Sequence, residues 1–242
     1  MNKIGLSFGY LRGTAYENDV LGAMELVRRT GCESFNIPLG CILPMDVSKR
    51  REVAQRAKAL DLELSITGSM TGETDIASDD AAIRDAGVEF GKRALQACYD
   101  IGAAEWGGLN TAEEGLSYVL EAGSPRAMII LDTFHMNIEE DSILDAMELV
   151  QNAGKLANFH VGEANRRIPG TGRTGMDWAG IFSNLRAHGY TGCVLMEPFV
   201  RMDLPSSKNT CSWRNLTKNT TLEEYMKDVE TGYRFIRAAL SK

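Results

Sequence analysis

Met128-Ile129-Ile130-Leu131-Asp132, then Ile143-Leu144-Asp145-Ala146-Met147-Glu148-Leu149-Val150, then Leu156-Ala157-Asn158-Phe159-His160 follow one another within three dozen residues. The outer runs are short, largely apolar and tipped by a polar group, as suits a strand buried on both faces. The middle run is amphipathic with helical spacing. Together they spell a strand, a crossover helix and a parallel strand.

The same alternation extends in both directions. Strands are expected near Ile4 to Gly9, Ser34 to Pro38, Glu63 to Gly68, Glu105 to Gly108, Met128 to Thr133, Leu156 to Gly162 and Cys193 to Pro198. Helices are expected near Val20 to Arg29, Val47 to Ala59, Ala82 to Ile101, Ala112 to Glu121, Ile143 to Ala153, Trp178 to Ala187 and Leu222 to Leu240. Asp46, Asp79, Thr111, Asp141 and Thr220 supply caps at the starts, and Gly31, Gly102, Gly154 and Gly189 supply stops. The pattern predicts one domain over residues 1–242, a TIM-type (β/α) barrel with seven of its eight βα units. An open doubly wound sheet is the alternative, but Phe8-Gly9-Tyr10-Leu11-Arg12-Gly13 lacks the G-x-G-x-x-G fingerprint expected after its first strand.

A chain of 242 residues, 44% hydrophobic with six prolines, can bury a sizeable core. Its net charge of −7 leaves no broad basic face for nucleic acid. No apolar run reaches the length of a membrane span, and no basic-then-apolar leader precedes Lys3-Ile4-Gly5. Five scattered cysteines, never in a C-x-x-C pair, read as reduced thiols. The expectation is a cytoplasmic protein with neither nucleic-acid nor membrane partner.

Asp132, His160 and Glu197 each crown an apolar strand, and successive strand ends converge at one mouth of a barrel. Two carboxylates and an imidazole suit Mn²⁺, Mg²⁺, Co²⁺ or Zn²⁺. Any one of them alone could equally cap a loop. His135, three residues beyond Asp132 in an expected loop, could contact a ligand or simply bond backbone, whereas His188 ends a helix and suits its C-terminal dipole. The stretch Arg166 to Gly175 is basic and glycine-rich, a cradle for an anion or polyol or else a solvated surface loop.

Leu131-Asp132-Thr133-Phe134-His135-Met136-Asn137-Ile138-Glu139-Glu140, Phe159-His160-Val161-Gly162-Glu163-Ala164-Asn165-Arg166-Arg167, Pro169-Gly170-x-Gly172 and Met196-Glu197-Pro198-Phe199-Val200-Arg201 resemble the ketose 3-epimerases acting on D-tagatose, D-allulose (psicose) or L-ribulose. This family is a branch of the xylose-isomerase-like barrels. The resemblance implies a single Mn²⁺, Co²⁺ or Mg²⁺, Mn²⁺ first among them, held here by Asp132, His160 and Glu197. It also implies Glu197 as catalytic acid/base, His135 and Arg166 as contacts to a small-molecule ketose, Glu163 in the same substrate-side loop, and assembly into dimers or tetramers.

In the relatives a further helix and a strand bearing the first catalytic glutamate precede Leu-Asn-Thr. Here Trp106-Gly107-Gly108 runs directly into Leu109-Asn110-Thr111. Asn36 stands where many relatives have an acidic residue and Ser7 where many have an aromatic one. Epimerisation at C3 needs a proton removed from one face and returned to the other, so one carboxylate is too few. Glu105 is the nearest substitute. The alternatives are a non-catalytic metal- or sugar-binding remnant and another sugar isomerase, such as a hydroxypyruvate isomerase.

Overall fold

The computed structural model describes residues 2–68, 71–75, 78–103, 111–125, 127–171, 174–201, 214–217 and 220–242. In chain order the elements are β1 (Ile4–Ser7), α1 (Val20–Arg29), β2 (Ser34–Pro38), α2 (Leu39–Ile42), α3 (Val47–Ala59), β3 (Glu63–Thr67), α4 (Ala81–Ile101) and α5 (Ala112–Glu121). They continue as β4 (Ile129–Asp132), α6 (Thr133–Glu139), α7 (Ile143–Asn152), β5 (Leu156–Val161), α8 (Trp178–Ala187), β6 (Cys193–Met196) and α9 (Leu222–Leu240).

The six strands run parallel in the order β3-β2-β1-β6-β5-β4. This is cyclic chain order, with first and last strands paired, and it is interrupted only between β3 and β4. A doubly wound sheet would place β4, not β6, beside β1. The described strands therefore form a barrel wall, open on one side among the described residues. The expected strand Glu105 to Gly108 lies outside the described residues, so six of the seven expected strands are seen. The interruption falls in the part of the chain that contains that strand and the Gly108–Leu109 junction.

Both faces of the sheet are covered. Ile4, Leu6, Phe35, Ile37, Ile66, Phe159, Val161, Val194 and Met196 are buried, as the unbroken apolar runs require. Gly5 is needed at a close approach, because a Cβ there would lie 2.7 Å from Leu195 Cδ1 and 2.8 Å from the Ser34 carbonyl oxygen. Since β1 is paired on both sides while β4 pairs only with β5 among the described residues, β1 amides should exchange far more slowly than those of β4. Equal protection of the two strands would contradict an open wall.

Helix α9 locks the ends of the chain together. A capping box joins Thr221 and Glu224 at its start, and near its end Arg237 pairs with Glu33 and donates to the Asn2 carbonyl at 2.8 Å. Between α3 and α4, Arg50 Nη1 meets Asp100 Oδ2 at 2.9 Å and its other nitrogens donate to the Ile42 and Leu43 carbonyls. That hydrogen bond, with a second from Gln96, lowers the Asp100 pKa. A depressed folded-state pKa adds stability above the unfolded carboxylate value and loses it as pH falls through the folded one. Asp100→Asn should thus destabilise the neutral chain while narrowing its loss of stability in acid, readable by urea melts at pH 7 and pH 3.

The caps differ from expectation by one residue at three helices. Asp80, Ser142 and Thr221 cap α4, α7 and α9, where Asp79, Asp141 and Thr220 were expected. Asp46 and Thr111 cap α3 and α5 as read, and Gly31, Gly102, Gly154 and Gly189 all have positive φ. The expected loop after Asp132 is instead helix α6, because the Asp132 carboxylate accepts from the Phe134 amide and Phe134 and Met136 bury their side chains. Seven residues carry too little periodicity to announce such a helix.

Candidate metal centre at three strand ends

Asp132 ends β4, His160 lies one residue before the end of β5, and Glu197 follows β6. Register explains why they meet. Asp132 is the cross-strand partner of His160, His160 that of Leu195, and Glu197 shares a sheet face with Leu195 two residues earlier. The three side chains offer ligand atoms that all lie within 4.8 Å of one another. His160 Nδ1 is 3.6 Å from Glu197 Oε2 and 3.9 Å from Asp132 Oδ2, and none of the three side chains is more than 14% exposed. Backbone and hydroxyl bonds fix the strand ends: Thr133 Oγ1 donates to the Gly162 carbonyl at 2.8 Å, the Gly162 amide returns to Thr133 Oγ1, and the Glu197 amide donates to the Val161 carbonyl at 3.1 Å.

The electrostatics fit a cation. Burial and the adjoining Glu197 carboxylate raise the Asp132 pKa. Burial also works against ionised Glu197, but the hydrogen bond and charge of His160, a bond with Asp132 and the charge of Arg166 outweigh it and hold Glu197 at about 2. Two carboxylates this close and this buried need a positive partner or a shared proton. Asp132, His160 and Glu197 form a donor set that could hold a divalent ion accepting oxygen and imidazole ligands.

Arg166 and His135 flank this centre. The Arg166 carbon Cζ lies 3.4 Å from the centroid of the Phe134 ring and 5.1 Å from that of Phe199, and a guanidinium nitrogen is 3.4 Å from His135 Nε2. His135 is exposed and Arg166 is buried. Glu163 directs its carboxylate to partners in its own loop and at the start of α8. Its carboxylate accepts from the Gly170 amide at 2.9 Å, from Trp178 Nε1 at 3.2 Å and from Thr174 Oγ1, and the residue is 1% exposed. Asn36 is buried too, donating to Ser65 Oγ at 2.8 Å and accepting from Thr67 Oγ1 at 2.5 Å. His188 lies at the end of α8 with Nδ1 3.0 Å from the Asn184 carbonyl. Glu105, Gly172 and Arg173 lie outside the described residues. Sequence reasoning gave no role to Phe134, Phe199, Thr174 or Trp178, since aromatic and hydroxyl residues at loop and helix boundaries carry no periodic signal.

Residues 104–218 match the family described as the xylose isomerase-like TIM barrel. The D-psicose 3-epimerase of Agrobacterium fabrum (strain C58 / ATCC 33970) is 43% identical over 133 residues, which cover 54% of this chain and 44% of that enzyme. The match thus spans less than half of that relative's length. A ketose 3-epimerase of Arthrobacter globiformis is 26% identical over 250 aligned positions, covering 80% of this chain and 83% of that protein. Because 250 positions exceed 80% of 242 residues, that alignment places segments of the relative opposite gaps in this chain. The crystal structure of a D-psicose 3-epimerase in the presence of D-fructose superposes with a TM-score of 0.91 at 26% identity, covering 99% of this chain and 100% of that one. The fold is that of a xylose isomerase-like TIM barrel with part of its wall lacking among the described strands, and the named relatives are isomerases. No helix among the described residues is long and apolar enough to cross a membrane.

Proposed function

We propose that this chain binds one divalent cation, Mn²⁺ before Co²⁺ or Mg²⁺, and moves a proton at C3 of a free ketose, with one of the two acid–base positions of a complete 3-epimerase lacking. The observation that carries this is the convergence of Asp132, His160 and Glu197 on three successive strand ends. When bound, the ion would neutralise the buried carboxylates and, as a Lewis acid, make the hydrogen next to the ketose carbonyl more acidic. Asp132 and His160 serve as its further ligands. Glu197, ionised and buried, accepts the C3 proton on its own face and can return one there, passing the substrate through an enediolate. Arg166, sandwiched by Phe134 and Phe199 beside His135, offers donors to the ketose oxygens. Inversion needs a second carboxylate on the opposite face.

Solvent-deuterium exchange tests this directly. With Mn²⁺ and D-fructose or D-tagatose in D₂O, deuterium should enter C3 while inversion is slow or absent, and Glu197→Gln should abolish the exchange. Ketose binding with no label at C3 would favour a non-catalytic sugar-binding role. Label at C1 would point to an aldose–ketose isomerase.

A further inference from the structure

The loop after β5 is built around a carboxylate. Glu163 gathers three donors from residues further along the chain, the Gly170 amide, Thr174 Oγ1 and Trp178 Nε1, and so fastens the loop to the first turn of α8. Its backbone closes a tight turn in the other direction. The Glu163 amide donates to the Arg167 carbonyl at 3.0 Å, and the Glu163 carbonyl accepts from the Arg166 amide at 2.8 Å. Within that turn Arg166 has a φ of +66°, the left-handed region that a branched or long side chain occupies only when its surroundings impose it. The far end of the loop is equally constrained: Gly170 has a φ of +79°, and a Cβ there would come within 2.7 Å of Phe235 Cγ.

We infer that Glu163 is a positioning residue whose hydrogen-bonded carboxylate holds Arg166 in its left-handed conformation, with the guanidinium packed on Phe134 beside the metal centre. The direction of the Arg166 side chain follows from its backbone, and its carbonyl is tied to the segment after the neighbouring strand β6 by the Phe199 amide at 3.0 Å. Asp132 and His160 stand on strands and Glu197 directly follows one, so the three need none of these loop bonds. Loss of the brace should therefore disturb Arg166 and leave cation binding in place.

An isosteric pair of variants separates bracing from direct contact. In Glu163→Gln the amide oxygen still accepts from Gly170 and Trp178, and the amide NH₂ can donate to the Thr174 hydroxyl, so the brace survives without charge. Glu163→Ala removes it. The first readout is the Arg166 Nε–H resonance in the Mg²⁺-loaded chain, shifted by the Phe134 ring beneath it. The shift should persist in Glu163→Gln and collapse toward the solvent-exposed position in Glu163→Ala, while Mn²⁺ affinity changes less than about threefold in both. Should Glu163→Ala not fold, Thr174→Val removes one donor and should move the resonance part of the way. An unmoved resonance in Glu163→Ala, or equal collapse in both Glu163 variants, would overturn the brace.

The second readout rests on the proposed function. KM for the ketose in C3 exchange should rise at least about tenfold in Glu163→Ala, from loss of charged hydrogen bonds, and by little in Glu163→Gln. A parent chain that ignores ketoses would refute that function, yet the Arg166 resonance would still decide the role of Glu163.

Discussion

Calorimetry with Mn²⁺ should give one site per chain, and His160→Ala should bind the ion at least about 100-fold more weakly, since even the loss of a group supporting a metal ligand commonly costs 10- to 100-fold. His160 is the decisive position because it stands between the two carboxylates, with Nδ1 within 3.9 Å of an oxygen of each. Removing it leaves Asp132 and Glu197 facing one another without the imidazole, at a site where burial and the Glu197 charge already raise the Asp132 pKa and the His160 bond and charge help hold Glu197 low. The same binding should stabilise the fold, by about 2.7 kcal/mol when the free ion is at 100 times its dissociation constant, because the strand ends converge only in the folded chain. A melting temperature that rises with Mn²⁺ in the parent and stays flat in His160→Ala would carry the ligand set. Unchanged affinity in His160→Ala would refute it.

Much of this architecture is legible in the chain because parallel strands buried on both faces leave an unambiguous apolar mark. Ser34–Pro38 and the helices Val20–Arg29, Val47–Ala59, Ala112–Glu121, Trp178–Ala187 and Leu222–Leu240 fall where periodicity places them. The three candidate ligands are readable for a related reason: each is an ionisable group at the end of such a run. What stays hidden is local and non-periodic. Helix α6 rests on one aspartate cap and two buried side chains, and the distant partners Thr174 and Trp178 reach Glu163 only through a fold the sequence does not spell out. The resemblance places Glu163 in a substrate-side loop, but nothing in the sequence announces the Gly170, Thr174 and Trp178 bonds of its carboxylate. Asn36 shows the same limit, since a buried polar residue inside a strand can be bonded by its neighbours Ser65 and Thr67.

Insertion of the helix and glutamate-bearing strand of the related epimerases between Gly108 and Leu109 should raise the rate of C3 inversion at least about 100-fold, the lower range for a positioned general acid or base. Among the described residues the cyclic strand order is interrupted between β3 and β4, so an added strand there need not displace any of the six described strands. Two effects would then be mixed, closure of the barrel and delivery of the carboxylate. An insert carrying glutamine in place of that glutamate separates them: it should bring the same gain in amide protection and cation affinity as the full insert but leave inversion near the parent rate, while exchange of the C3 hydrogen by Glu197 persists in both. The sign of the difference follows from stereochemistry: in the proposed reaction Glu197 serves one face of the enediolate and inversion needs a proton delivered to the other. Full inversion by the 242-residue chain itself would overturn this account and would place the second acid or base on a carboxylate already present, Glu105 being the nearest in sequence to the junction.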